Sequence, residues 1–274
     1  MTETTGKLYK NVIDLFNKGV NLDNQGHHLE AIQCYDQALE LDQHYVAAWV
    51  NKGCSLASLG YHVDAIHCFE QALEFDPNHI SSLNNKGSSL ANLGRHEEAI
   101  RLFDQVLQLD PCFINAWNNK GGSLSSLGRY AEAIGCIDKT LELDPQHVNA
   151  WANKGNSLCR LGCYKEAIPC LDRALELDPS FVNVWINKGT SLHNLDCYEE
   201  AIYCFNQALI INPSFAFTWI IKAMSEDKYG HLDDAARSYQ QFLTLTASQD
   251  NEQIANVREL IEYARMRLQL LEGK

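Results

Sequence analysis

The chain has 274 residues, of which 46% are hydrophobic, so it can bury a substantial core as one elongated domain or two compact ones. Its formal net charge of −13 argues against nucleic acid and anionic lipid as partners, because an acidic surface repels phosphate groups. No stretch is apolar for long enough to cross a bilayer and the first residues lack the apolar segment of a secretory signal, so we expect a cytoplasmic protein without membrane insertion.

In chain order, residues 1–11 form an N-terminal extension, a periodic region follows, and residues 250–274 form a C-terminal helix. The period is clearest in five prolines, each 34 residues after the last: Pro77, Pro111, Pro145, Pro179 and Pro213. A fixed period of this length is typical of a solenoid. We assign seven repeats, at 12–45, 46–79, 80–113, 114–147, 148–181, 182–215 and 216–249.

Each repeat, numbered here from position 1 to position 34, predicts a helix, a turn and a second helix. Position 4 is Trp in five repeats, position 8 is Gly in six, and position 20 is Ala in all seven. Gly and Ala at these positions let the two helices approach closely. Position 15 is Gly, except for Asp196, and ends the first helix because it accepts the left-handed conformation. Pro at position 32 stops the second helix. We therefore expect helices at about positions 2–14 and 17–31.

The pattern that Trp49, Gly53, Gly60, Ala65 and Phe69 illustrate, with Pro77 at its end, resembles the tetratricopeptide repeat (TPR) family. The resemblance implies an all-α, right-handed superhelical solenoid in which the first helix of each repeat lines a concave groove. Two positions depart from the family pattern. Position 7, usually apolar, is Lys in every repeat, and position 11, usually Tyr, is Leu in six repeats and Glu226 in the seventh.

The ends of such an array must be capped, because a terminal repeat otherwise exposes an apolar face. The first repeat is the natural N-terminal cap. For the C-terminal capping helix, residues 251–271 provide one apolar stripe at spacings of three and four: Ile254, Val257, Ile261, Ala264, Leu268 and Leu271.

Positions 2, 5, 6, 9, 12 and 13 lie on the side of the first helix that faces the groove in the TPR arrangement. An amide there can pair with both halves of a peptide bond, so a ladder of amides suits an extended main chain. The predicted ladder consists of Asn51, Asn85, Asn119, Asn153 and Asn187 at position 6. Further amides of the predicted groove are Asn84, Asn92, Asn115, Asn118, Asn149, Asn156, Asn183 and Asn194. The alternative is that the amides bond locally.

The groove carries almost no formal charge except Arg160, which argues against a basic clamp for acidic C-termini. The seventh repeat instead places apolar residues at groove positions, namely Phe217, Ile220, Ile221 and Met224. They predict an anchor pocket for a partner's side chain, unless the capping helix covers them.

The lysines at position 7 lie within the apolar arc of the first helix, where an ammonium group needs a partner. We predict pairs with the carboxylates at position 31 of the preceding repeat: Asp42, Asp76, Asp110, Asp144 and Asp178.

The ten cysteines fit reduced, structural thiols, five of them at position 23 of the second helix: Cys34, Cys68, Cys136, Cys170 and Cys204. No metal site is expected, although Cys159, Cys163, His193 and Cys197 have a conceivable Cys3His zinc-site spacing.

The favoured function is a scaffold or adaptor that binds an extended peptide of a partner protein in the groove. We expect no catalysis and no cofactor, because neither a phosphate-binding loop nor a nucleophile motif occurs. The alternatives are a self-assembling structural module, which would form homo-oligomers, and a regulatory segment of a larger enzyme. The capped C-terminus argues against the latter.

Overall fold

A computed structural model of the protein describes residues 3–247 and 251–272. This part of the chain folds into fifteen α-helices: α1 Glu3–Asn24, α2 His28–Leu41, α3 Val46–Ser58, α4 His62–Phe75, α5 Ile80–Asn92, α6 His96–Leu109, α7 Ile114–Ser126, α8 Tyr130–Leu143, α9 Val148–Arg160, α10 Tyr164–Leu177, α11 Val182–Asn194, α12 Tyr198–Ile211, α13 Ala216–Tyr229, α14 Leu232–Ala247 and α15 Asn251–Glu272. Among these helices, none is both long and apolar enough to span a membrane.

The chain forms two compact modules, an N-terminal module at Met1–Leu143 and a C-terminal module at Asp144–Lys274. In each module an odd-numbered helix packs on the even-numbered helix that follows it, and this pair packs on the next pair. Odd-numbered helices of neighbouring pairs also touch, whereas even-numbered ones of the described residues make no comparable contact. The odd-numbered helices from α1 to α13 therefore form the inner face of each module, and the even-numbered helices form its outer face.

From α2 to α14 the helices follow the repeat to within one residue of the prediction, whereas α1 begins at Glu3, inside the predicted N-terminal extension. In the second repeat, α3 occupies positions 1–13 and α4 occupies positions 17–30. Gly60, with φ 83°, ends α3 in the left-handed conformation, and the Tyr61 N–H donates to the Leu56 carbonyl over 2.9 Å. Asp196 adopts the same conformation with φ 60°, as expected for a residue at position 15.

The core of a repeat depends on a close approach between position 8 and position 24. A Cβ atom placed on Gly53 would lie 2.6 Å from Phe69 Cε1, so glycine is required there. Phe69 and Ala65 are fully buried. The tryptophan at position 4 fixes the preceding turn, since the Trp117 indole N–H donates to the Pro111 carbonyl over 2.9 Å.

The last helix, α15, packs against α14. Ile261 and Ala264 are buried in an apolar cluster with Tyr239 and Phe242. Leu271 packs against the same cluster, while the side chains of Ile254 and Val257 lie outside the described residues. Arg267 adds two hydrogen bonds to the carboxylate of Asp227, at 2.7 and 2.6 Å, which tie α15 to α13.

Candidate functional site

The position 6 amides of the N-terminal module lie half-buried on its inner face and use their N–H groups within the protein. Asn51 Nδ2 donates to the Ala47 carbonyl at 2.9 Å, in its own helix. Asn85 Nδ2 donates to Cys54 Sγ at 3.2 Å and Asn119 Nδ2 to Ser88 Oγ at 3.1 Å, each across to the preceding first helix. Asn85 and Asn119 thus connect neighbouring repeats, whereas Asn51 bonds within its own helix.

The prediction that Asn84 contacts a ligand is wrong, because its side chain is buried. It donates to Asn85 Oδ1 at 3.2 Å and accepts from Asn119 Nδ2 at 3.4 Å, which leaves it enclosed by neighbouring amides. Asn118, at the same position of the next repeat, is half-buried, and Asn115 is exposed.

The inner face of the C-terminal module contains an open cavity of about 370 Å³. Its lining residues come from two successive repeats and from the turn that follows them: Asn149, Ala152, Asn153, Asn156, Arg160, Phe181, Asn183, Val184, Ile186, Asn187 and Phe215. Five of the predicted groove amides are thus brought together, namely Asn149, Asn153, Asn156, Asn183 and Asn187. Asn194 is not among them. It is exposed and donates to the Thr190 carbonyl at 2.8 Å.

The cavity combines amides with aromatic edges and one cation. Asn149 and Asn183 are exposed, and Asn187 Nδ2 donates to Asn156 Oδ1 over 3.4 Å, at the long end of a hydrogen bond. Phe181 and Phe215 had no role in the sequence prediction. Both stand at position 34, which is aromatic or His in the first six repeats, and that recurrence was the available signal.

The apolar anchor pocket predicted in the seventh repeat is closed. Ile220 and Ile221 are buried, and Met224 packs against the cluster that contains Ile261 of α15. Only Phe217 of the predicted set is exposed, at 49%. Ile220 and Ile221 are instead part of an apolar cluster that joins the sixth repeat, the seventh repeat and α15.

The position 7 lysines do form ion pairs, but the predicted partners are wrong. Lys52 Nζ lies 2.5 Å from Asp36 Oδ1, at position 25 of the preceding repeat. The same pairing recurs in Lys86–Glu70 at 2.8 Å, Lys120–Asp104 at 2.5 Å and Lys188–Asp172 at 2.5 Å. The position 31 carboxylates instead accept hydrogen bonds from the backbone two residues on, as Asp110 does from the Cys112 N–H at 2.9 Å. The aspartate reaches this backbone N–H within its own turn, and the hydrogen bond occupies the carboxylate that was predicted to pair with a lysine.

Serines at position 10 were missed by the sequence prediction, although this position is Ser in six of the seven repeats. Three of them, Ser55, Ser191 and Ser225, contact the side chain at position 12 of the preceding repeat. Ser55 donates to Asp23 at 2.8 Å, and Ser191 and Ser225 lie 3.0 and 2.8 Å from Cys159 Sγ and His193 Nδ1. These contacts set the positions of the first helices of neighbouring repeats relative to each other.

The same contacts argue against the conceivable zinc site, because they occupy two of its predicted ligands. Cys159 and His193 are bonded to different serines, and Cys197 Sγ lies 3.6 Å from the Leu195 carbonyl. Burial raises the pKa of the Cys159 thiol and lowers the pKa of His193. Within residues 3–247 and 251–272, no three potential ligands are grouped to hold a metal ion.

The five cysteines at position 23 are buried, as predicted. Burial raises the pKa of Cys68 to about 11, so this thiol is protonated and unreactive at neutral pH.

Models of the tetratricopeptide repeat match residues 12–45, 46–79, 68–101, 114–147, 148–181 and 182–215, together well over half of the chain. The chain belongs to the tetratricopeptide repeat family. Five of these matches have the bounds of the predicted repeats, and the fold is an all-α TPR solenoid. Whether α13 and α14 count as a seventh repeat stays a prediction. Comparison with curated protein sequences gave no match.

Solved structures share this TPR fold at low sequence identity. A tetratricopeptide repeat protein from Parabacteroides merdae ATCC 43184 is 17% identical with a TM-score of 0.69, over 93% of this chain and 99% of that one. PilF of Pseudomonas aeruginosa is 18% identical with a TM-score of 0.67, over 74% and 93%. YrrB, described as a TPR protein with an unusual peptide-binding site, is 20% identical with a TM-score of 0.54, over 67% and 95%.

Proposed function

We propose that the protein is an interaction scaffold that holds an extended segment of a partner protein on the inner face of its C-terminal module. The observation that carries the proposal is the cavity of about 370 Å³, in which five asparagine side chains from two successive repeats converge. Each amide offers a donor and an acceptor, so the set can pair with the backbone of a peptide of many sequences. The peptide-binding site named for YrrB, which shares the fold, adds support.

The hydrogen bonds already present in the cavity leave room for a ligand. The 3.4 Å bond between Asn187 and Asn156 is long, so a peptide N–H or carbonyl can replace it at little cost. Asn149 and Asn183 are exposed at equivalent positions of neighbouring repeats and provide the first contacts for an incoming chain.

The two aromatic rings give the cavity a preference for a bound segment with an apolar side chain. Phe181 is half-buried and Phe215 is 39% exposed, so both can contact an apolar side chain of the bound segment. The proposed function is binding, without a catalytic step.

Peptide selection on the full chain provides the test. Peptides selected from a random library should bind the variant Asn149→Ala/Asn183→Ala/Asn187→Ala at least about ten-fold more weakly, because about three hydrogen bonds of 0.5–1.5 kcal/mol are lost. Isothermal titration of the selected peptides measures this change.

The matched control is Asn194→Ala, an exposed asparagine of α11 outside the cavity. Selected peptides should bind this variant as tightly as the parent chain. Equal affinity for the triple variant would show that the amides of the cavity do not hold the peptide.

A further inference from the structure

A second cavity, of about 440 Å³, opens between the outer-face helices α10 and α12 of the C-terminal module, with α11 at its base. It shares no lining residue with the inner-face cavity. Because the two cavities share no lining residue, a ligand in the outer cavity would not compete for the amides.

The charges that line this outer cavity do not balance. Lys188 is paired with Asp172 at 2.5 Å, which leaves the exposed carboxylates of Glu199 and Glu200. Three carboxylates against one ammonium give two net negative charges. Glu199 accepts a hydrogen bond from the Tyr229 hydroxyl at 3.0 Å, and Glu200 forms no hydrogen bond or ion pair with any described residue.

An aromatic ring stands beside these carboxylates. Tyr203 is 58% exposed and meets Trp185 edge to face, with ring centroids 6.1 Å apart. Its remaining surface is open to a ligand. Cys204 is a buried residue of the cavity lining. Burial raises the pKa of its thiol to about 11, so it contributes a neutral thiol and not a metal-binding thiolate.

Equivalent positions of other repeats lack this combination. The third repeat also has two adjacent acids, but Arg95 bonds Glu98 at 2.7 and 2.8 Å and position 22 is Arg101. The seventh repeat has Arg237 at position 22, and it bonds Asp234. In the sixth repeat Tyr203 takes the place of the arginine, and α12 itself has no basic residue to pair with Glu199 or Glu200.

We propose that the outer cavity receives an arginine or lysine side chain from a basic segment of a protein partner. The cation lies between the carboxylates of Glu199 and Glu200 and the ring of Tyr203. Two carboxylates and an aromatic face both favour a cation. A second copy of the chain is a poor occupant, because its formal net charge is −13.

Methyl NMR on the full chain tests the proposal with a capped peptide, acetyl-Ala-Arg-Ala-Arg-Ala-amide, as the probe. The δ1 methyl of Ile168, which lines the cavity, should shift on titration. Glu199→Gln/Glu200→Gln should weaken binding about five-fold and Tyr203→Leu about three-fold, as expected for half-exposed ion pairs and one cation–π contact. Higher ionic strength should weaken binding further.

The control variant Glu97→Gln/Glu98→Gln changes the equivalent carboxylates of the third repeat and should leave the affinity unchanged. The proposal fails if the probe does not move the Ile168 methyl, or if the two double variants bind alike. It also fails if a peptide with citrulline for arginine binds as well. None of these results bears on the asparagine cavity, which is tested by a different probe and different residues.

Discussion

The second and seventh repeats both have a lysine at position 7, but the carboxylate that pairs with it comes from a different place. Lys52 lies 5.5 Å from the centroid of the Trp49 ring and pairs with Asp36 of the preceding repeat. Lys222 lies 5.1 Å from the Trp219 ring. The residue equivalent to Asp36 before the seventh repeat is Asn206, which has no charge.

The seventh repeat obtains its carboxylate from its own first helix. Glu226 lies four residues after Lys222, with Oε1 3.3 Å from Nζ, and occupies position 11, where the other repeats have leucine. The two substitutions compensate each other. A half-buried ammonium at position 7 therefore needs a carboxylate partner. The partner can belong to the preceding repeat or to the same helix.

The two solutions do not have equal cost. The Asp36 side chain is 45% exposed, whereas the Glu226 side chain is 4% exposed and one of its carboxylate oxygens has no hydrogen-bond partner among the described residues. Burial raises the pKa of Glu226. The carboxylate of the preceding repeat is therefore the better partner, because it remains hydrated.

The two repeats also differ at position 8, where Gly53 faces Phe69 and Ala223 faces Tyr239. The largest effect we predict is for Gly53→Val. Its Cβ would lie 2.6 Å from a ring carbon of Phe69, which is fully buried, so the ring would have to shift within a packed core. Unfolding in urea should show a loss of about 3 kcal/mol, at the upper end for overpacking.

The control for this substitution is Gly122→Val. Gly122 is also in a first helix, but a Cβ there has no neighbour within 4 Å. Valine and glycine have similar helix propensities, so we expect a change below about 0.5 kcal/mol. Similar losses in the two variants would mean that ring contact does not select glycine at position 8.

The next effect in size concerns the lysine pair. Glu226→Leu restores the residue of the other repeats but leaves Lys222 without a carboxylate, and we expect a loss of about 2 kcal/mol, since Lys222 keeps part of its hydration. Adding Asn206→Asp should restore most of the loss, because it recreates the partner of the second repeat. Urea unfolding of both variants measures the change, with amide exchange in α13 as a local readout.

A double-mutant cycle with Asn206→Asp alone completes this test. That single substitution places a second carboxylate near Lys222 while Glu226 is present, so it should stabilise the protein much less than in the Glu226→Leu background. Additive effects would show that Asn206 and Glu226 do not share the lysine.

The helices could be predicted from the sequence because their determinants are local and recur. Gly60 ends a first helix through its own backbone conformation, and Gly53 accepts the ring of a residue sixteen positions later in the same repeat. These residues return in most repeats, so the periodicity predicts the bounds of the helices from α2 to α14.

The candidate site was less predictable, because its geometry depends on contacts between repeats. The helical wheel placed Asn84 on the groove side but could not show that Asn119 and Asn85 enclose it. Ile220 and Ile221 similarly lie at groove positions, but both are buried in an apolar cluster that also contains residues of the sixth repeat and of α15. Spacing also pairs the lysines with position 31, but it does not show that a local turn occupies those carboxylates, as it does at Asp110.

The smallest predicted effect is a pH dependence of the seventh repeat. Burial raises the pKa of Glu226, so the folded protein holds this proton more tightly than the unfolded chain does. Relative to Glu226→Gln, the parent chain should therefore become less stable as pH rises from the ordinary value of a glutamate through the raised pKa, and more stable as pH falls back. Urea unfolding of the two proteins across this range measures the difference, in which other titrating groups cancel. A difference that is flat, or that grows in favour of the parent chain with rising pH, would mean that the ion pair with Lys222 outweighs burial and that the two repeats neutralise their lysines equally well.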